Sequence, residues 1–180
     1  SDFLNSIQAA ALENDFPLIV DEIQSGMGRC GSFIASQSLN FQGDYYGLAK
    51  SLGGGLSKIG ALLIKRSRYQ NDFDIIHTST FAEDDYSCHL ALKALEVLER
   101  DNVPARCAES GSYLLDRLRA LQSRFPSVIK EVRGLGLMIG VELASQSNSS
   151  SALIRMASQQ EALGYLSTGF LLNNERIRVG

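Results

Sequence analysis

The chain has 180 residues, 44% of them hydrophobic, and a formal net charge of −3. That is enough for one sizeable core or two small ones, and the mild acidity gives no electrostatic reason to expect nucleic acid or an anionic membrane as partner. No apolar run approaches the roughly 20 residues that span a bilayer, and no cationic-then-apolar leader opens the chain. Cys30, Cys88 and Cys107 are odd in number and widely spaced, so they read as reduced thiols of a cytoplasmic protein. They make no metal pattern with His77 or His89, and no metal is expected.

In chain order, the pattern predicts a helix from Phe3 to Glu13, then a buried parallel strand from Pro17 to Ile23. That strand is continuously apolar with β-branched Ile19 and Val20 until two acids, Asp21 and Glu22, interrupt it. Gly26 to Gly31 is a glycine-punctuated loop, and Phe41 to Ala49 leads to Lys50 and the cluster Gly53-Gly54-Gly55. Ile59 to Lys65 is expected to return along the sheet as a strand.

The acid-rich stretch Glu83-Asp84-Asp85 suits the start of a helix running from Tyr86 to Arg100, with apolar residues at Cys88, Leu92, Leu95 and Leu98. A second helix, Val103 to Phe125, has Pro104 in its first turn and a stripe of Leu114, Leu115, Leu118 and Leu121. Ile129 to Glu142 gives strands split by Gly134-Leu135-Gly136. Ser145 to Ser151 reads as an exposed loop, followed by a helix from Ser151 to Leu163 and short strands to Val179. The domain change falls within the second helix, dividing the chain into residues 1–115 and 116–180.

The chemistry rests on Asp21 and Lys50. Ligands of open α/β sheets gather at the C-terminal ends of strands, which is where both residues are expected. Pyridoxal phosphate (PLP) needs a lysine for its Schiff base and an acid opposite its pyridinium nitrogen. Alone, the pair would read as a capped loop and a solvated cation, because charged residues are mostly exposed. The residues around them decide otherwise.

The segments Val20-Asp21-Glu22-Ile23-Gln24-Ser25-Gly26-Met27-Gly28-Arg29, Leu48-Ala49-Lys50-Ser51-Leu52-Gly53-Gly54-Gly55, Ile59-Gly60-Ala61, His77-Thr78-Ser79-Thr80-Phe81 and Val132-Arg133-Gly134-Leu135-Gly136 occur in this order over most of the chain. Together they resemble the class-III family of PLP-dependent aminotransferases, of fold type I. The resemblance implies an α/β fold: part of a large-domain, mostly parallel sheet with helices, joined to part of a smaller α+β C-terminal domain. It also implies a fragment. The family's first half carries the turn that binds the cofactor phosphate and the aromatic residue that covers the ring, and neither is present in this sequence.

By the same resemblance Lys50 is the Schiff-base lysine and Asp21 the carboxylate at the ring nitrogen. Gln24 reaches the cofactor's phenolic oxygen, and Ile23 packs on one ring face. Thr80 matches a threonine that bonds the cofactor phosphate of the neighbouring subunit, which implies a homodimer with shared active sites. Arg178 matches an arginine that forks onto the substrate carboxylate, with Arg176 expected on the same strand face.

The implied reaction moves an amino group between an amine or amino acid and a 2-oxo acid. Aminomutase and decarboxylating chemistries, or a non-catalytic module of a multidomain synthase, are the alternatives. Gln24 speaks against a mutase, whose relatives usually carry methionine there. After Thr80 the chain departs from the common Phe-Gly-Gly-Asn-Pro continuation with Phe81-Ala82-Glu83-Asp84-Asp85, which changes the loop expected at the phosphate end of the neighbouring site.

Overall fold

The computed structural model describes residues 2–77 and 79–179, and the backbone alone of Asp74. Thr78, part of the segment around Thr80, lies outside the described residues. The chain groups into two compact units, Ser1–Tyr113 with Leu135–Met138, and Leu114–Gly134 with Ile139–Gly180.

The first unit opens with helix α1 (Asp2–Asn14) and strand β1 (Ile19–Asp21). A short helix, α2 (Ala35–Ser38), precedes β2 (Tyr45–Leu48), a single 3-10 turn (Lys50–Gly53) and β3 (Ala61–Ile64). β1 and β2 are parallel, with Asp21 opposite Gly47, whereas β3 returns antiparallel to β2 with Ala61 opposite Leu48. Helices α3 (Phe73–Ile76) and α4 (Asp85–Arg100) follow, and α5 (Val103–Arg124) crosses from the first unit into the second.

The predicted strand from Pro17 to Ile23 shortens at both ends, each for its own reason. Asp44 claims Leu18, whose amide donates to the Asp44 carboxylate at 3.0 Å while its carbonyl accepts from the Asp44 amide at 2.8 Å. At the other end the Asp21 carboxylate accepts from the Ile23 amide at 2.9 Å and turns the chain out of the sheet. β1 is also less buried than its apolar sequence suggests, with Ile19 76% exposed.

The core lies between the sheet and α4, where Met27, Ile34, Leu48, Leu52 and Ala91 cluster with Phe33, Ile59, Leu95 and Leu98 packed against them. Asp84 caps α4 by accepting from the Ser87 amide at 2.9 Å, in accord with the acidic start read from the sequence. Leu92, expected on the inward stripe, is 64% exposed.

A close backbone approach joins α5 to the tip of a hairpin. β4 (Ile129–Leu135) and β5 (Met138–Leu143) pair around Gly136, which takes φ +56°. A Cβ on Gly136 would lie 2.5 Å from the Cys30 carbonyl carbon, and one on Gly111 of α5 would lie 2.1 Å from the Gly136 oxygen. Only glycine lets these three backbones stack. The Leu137 amide secures the stack by donating to the Arg29 carbonyl at 2.9 Å.

The second unit holds the arms of this hairpin, the end of α5 with buried Leu115, and helices α6 (Ala152–Gln159) and α7 (Leu163–Glu175). On β5, Glu142 accepts from Lys130 at 2.6 Å and Arg133 at 3.0 Å. These bonds hold its carboxyl below the usual range.

The short strands expected up to Val179 are replaced by α7. Its apolar residues Leu163, Leu166 and Phe170 recur at helical spacing, and a short apolar run does not by itself separate strand from helix. Arg176 ends the helix in the left-handed conformation at φ 58°, with the Ile177 amide bonded to the Leu171 carbonyl at 3.0 Å. The predicted helix from Ser151 to Leu163 likewise breaks after Gln159, where Glu161 takes φ 55°.

One buried acid organises the first unit. Glu22 is 1% exposed, and its carboxylate accepts from the amides of Ala35 (3.0 Å) and Ser36 (2.8 Å) and from the Ser25 hydroxyl. Burial alone would raise its pKa, but the Ser25 hydroxyl and the two amides outweigh it and hold the carboxyl below its ordinary value.

Glu22→Ala in the full-length protein should therefore cost about 3 kcal/mol near neutral pH, because each buried donor stranded costs about 1–3 kcal/mol. A lowered folded pKa contributes stability that is complete above the unfolded value and is lost as pH falls through the folded one. The stability gap between wild type and Glu22→Ala, read by chemical denaturation, should therefore narrow in acid. A gap independent of pH would show that the charge is not what holds the loop.

Candidate active site

The site is built where β1 and β2 end side by side. Asp21 closes β1, exposed, opposite Gly47. Glu22, the next residue, turns into the core, and successive residues of an extended strand point to opposite faces. Burying Glu22 therefore turns Asp21 outward.

The chain then folds back over the strand ends. Ile23, 38% exposed, lies over Gly47, where a Cβ would meet its Cγ1 at 3.8 Å and Cδ1 at 3.9 Å. Gln24 follows, and its Oε1 accepts from Lys50 Nζ at 2.9 Å.

Lys50 begins the turn that leaves β2, two residues past Leu48, and has φ +49°. That left-handed conformation costs a β-carbon residue of order 1 kcal/mol, and it persists only where the surroundings impose it. Here they do. Leu52, directly inside the turn, is buried in the core, and the Leu52 amide donates to the Ala49 carbonyl at 3.0 Å.

The glycine cluster after Lys50 turns the loop back to β3. Gly54 and Gly55 take φ of +63° and +77°, and the Ser57 hydroxyl bonds that of Ser87 at 2.6 Å, tying the loop to the first turn of α4. Lys50 opens onto a cavity of about 690 Å³ lined also by Ala49, Leu56, Ser57, Lys58 and Ile59.

The structure thus brings together Asp21, Ile23, Gln24 and Lys50. Thr80 stands apart, exposed in a turn whose next residue, Phe81, is 88% exposed, and it does not line the cavity at Lys50. Arg178 belongs to the second unit, exposed beyond the end of α7. Because Arg176 is the left-handed cap of α7, the strand face expected to carry both arginines is not formed.

Sequence reasoning missed Glu22 as the group that orients the site. Its signal was an acid placed one residue after another at the end of an apolar strand, with opposite faces available to the two. The tie between Ser57 and Ser87 had no sequence signal, because it joins residues 30 apart.

Residues 1–170 match the aminotransferase class-III family. A solved transaminase with L-alanine superposes with a TM-score of 0.80 at 28% identity, over 94% of this chain and 40% of the other. An ornithine aminotransferase from Toxoplasma gondii gives a TM-score of 0.74 at 32% identity, over 81% of this chain and 34% of its own. An amine transaminase from an uncultivated Pseudomonas species, in its PLP-bound form, gives 0.72 at 30%, over 82% and 35%.

The fold and the match together define a fold-type-I transaminase segment. The chain belongs to the class-III aminotransferase family. It spans about 40% or less of the length of these relatives.

The left-handed Lys50 makes a stability prediction that is separate from chemistry. Lys50→Ala and Lys50→Gly both lack the amine, but only glycine takes φ +49° without a Cβ penalty. In the full-length protein Lys50→Gly should be more stable than Lys50→Ala by about 1 kcal/mol, measured by denaturant titration. Equal stability, or the reverse order, would mean that the turn relaxes around the new residue.

Proposed function

We propose that this chain is the part of a cytoplasmic PLP-dependent aminotransferase that carries the reacting lysine, and that the enzyme moves an amino group between an amine or amino acid and a 2-oxo acid. Residues 1–115 are assigned to the PLP-binding large domain and 116–180 to the small C-terminal domain. The observation that carries the reading is the juxtaposition of the Asp21 carboxylate, the Gln24 amide and the Lys50 amine at two adjacent parallel strand ends, with Lys50 Nζ bonded to Gln24 Oε1 at 2.9 Å.

The donor set fits PLP. Lys50 supplies a primary amine for its aldehyde, and Asp21 an exposed carboxylate for its ring nitrogen. Ile23 presents a half-exposed apolar face between them, and Gln24 offers an amide for the phenolic oxygen. When bound, the cofactor supplies an electron sink for the electrons left when a substrate proton departs.

The chain's own residues then have separable tasks. Asp21 would hold a proton on the ring nitrogen of the bound cofactor by a charge-assisted bond. Gln24 positions Lys50 Nζ, which would hold the cofactor through its aldehyde and would take and return the substrate proton. Ile23 would offer its apolar face to the ring. Arg178 is assigned to the substrate carboxylate, for which its planar fork is suited. Thr80 is assigned to the cofactor phosphate of a neighbouring subunit, so the enzyme works as a homodimer.

In the full-length enzyme, Lys50→Ala should abolish turnover and the cofactor's visible absorption band together. Borohydride reduction of the wild type followed by peptide mapping should place the pyridoxyl adduct on Lys50, and an adduct elsewhere would overturn the assignment. Asp21→Asn should keep bound cofactor but slow single-turnover amino transfer by about 100-fold or more, the scale of losing one preorganised electrostatic partner. An unchanged rate would remove Asp21 from the mechanism.

Sharing of sites between subunits has its own test. When Lys50→Ala and Thr80→Ala chains are mixed by denaturation and refolding, both defects fall on one site of each heterodimer and the second site is whole. Activity should therefore exceed the sum of the two parent homodimers. If Thr80 served its own chain's site, every heterodimer site would carry one defect and nothing would be recovered.

A further inference from the structure

Two thiols come to the same seam where the loop after β1 passes α5. Between Pro104 and Leu115 the helix is exposed except at Pro104, Cys107, Gly111 and Leu115, which recur at helical spacing and form its inward face. Residues 26–31 run along that face. A Cβ on Gly28 would meet the Pro104 ring at 3.3 Å, and one on Gly31 would meet the Ala108 Cα at 3.3 Å. Further along, a Cβ on Gly136 would lie 2.7 Å from the Cys30 Cα, and one on Gly111 would lie 2.6 Å from the Gly136 Cα. Cys30 falls between Gly28 and Gly31, and Cys107 between Pro104 and Ala108. The contacts on either side therefore hold both cysteines to one stretch of the seam.

Their surroundings differ. Cys30 is 4% exposed and its Sγ meets Met138 Sδ at 3.9 Å, a weak contact that leaves the thiol without a strong partner. Burial first, and the Glu22 carboxylate next, push this thiol up against the opposing charge of Arg29, and Cys107 adds to the rise. Cys107 is half-buried, so a small oxidant reaches it before Cys30. Cys88, also free, lies on α4, outside this seam. An accessible thiol held beside a buried one is the arrangement of a redox-sensing cysteine and its resolving partner.

We propose that Cys30 and Cys107 form a reversible redox pair, in which a hydroperoxide closes a disulfide that staples the loop after Gln24 to α5. In the first step the Cys107 sulfur attacks the peroxide and the O–O bond breaks. The sulfur keeps a hydroxyl as sulfenic acid, and the other oxygen takes the thiol proton and leaves as water or an alcohol. The Cys30 sulfur then attacks that of Cys107, the S–O bond breaks, and the hydroxyl leaves as water with the Cys30 proton. Two electrons pass from the pair of thiols to the peroxide, and a dithiol reductant returns them. Cys30 gives up the Met138 contact to turn towards Cys107. In a compartment that keeps thiols reduced, such a bond is a transient signal rather than a permanent support.

The test uses the full-length protein as purified, treated with hydrogen peroxide and mapped by mass spectrometry without reduction. Wild type should yield a cross-link within the chain between the peptides carrying Cys30 and Cys107, two hydrogens lighter than the free peptides and undone by dithiothreitol. Hydrogen exchange of residues 26–31 and 104–111 should slow about tenfold or more on oxidation and recover on reduction.

Cys107→Ser should lose both effects and leave Cys30 reduced. Cys30→Ala should leave Cys107 as a sulfenic acid that dimedone captures, and the half-buried Cys107 variant carries the test should Cys30→Ala not fold. Over-oxidation of Cys107 beside a reduced Cys30 in the wild type overturns the proposal, as does a link from either residue to Cys88 or to another chain. Exchange that stays unchanged in the cross-linked protein overturns the staple as well. Neither thiol takes part in the proposed amino transfer, so the outcome stands apart from that reading.

Discussion

The buried carboxylate of Glu22 is the contact on which the candidate site depends. A carboxylate that is 1% exposed is tolerated because two backbone amides and a hydroxyl satisfy it. The amides belong to Ala35 and Ser36, so the same charge that closes β1 also anchors the first turn of α2 and thereby the whole loop between them. Its direction has a second effect. With Glu22 turned inward, Asp21 must face outward, and the chain that follows is committed to folding back over Gly47, where Ile23 and Gln24 meet Lys50. An apolar residue at position 22 would keep the burial but leave the amides of α2 without an acceptor.

Glycine serves this protein in two physically distinct ways. Around Gly54 and Gly55 it supplies left-handed backbone that lets the lysine loop reverse direction towards β3. At Gly111 and Gly136 it supplies absence of volume, because the helix and the hairpin tip touch at backbone distance. The second use explains why a residue on a regular helix, Gly111, is glycine despite its cost in helix propensity. It also holds the hairpin tip, Leu135–Met138, in the first unit.

Lys50 is the one site residue whose backbone is itself strained. Every other positive-φ residue near it is glycine, apart from Met27, so the lysine occupies a conformation that backbone preference alone would give to Gly or Asn. The buried Leu52 and the hydrogen bond from its amide to Ala49 impose it. Strain at a residue held between a packed core and an open cavity is the arrangement expected of a side chain selected for what its tip does rather than for how its backbone sits.

The amino-acid sequence by itself determined the order of the major elements in the first unit, the two long helices, the glycine-split hairpin, and the candidate set Asp21, Ile23, Gln24 and Lys50. It could do so because strand ends, helix starts and glycine clusters are local signals, and because ordered motifs carried a family resemblance. Position along the chain was not enough for the rest. The start of β1 was set by Asp44, a residue distant in sequence that takes both backbone groups of Leu18. The C-terminal segment, expected as short strands, forms a helix with Arg176 as its left-handed stop, because a short apolar run does not by itself separate the two. Which of two adjacent acids faces the site and which faces the core was decided only by the tertiary structure. The two amides that satisfy Glu22 arrive from 13 and 14 residues away, and the roles of Asp21 and Glu22 are distinguished only once those amides are in place.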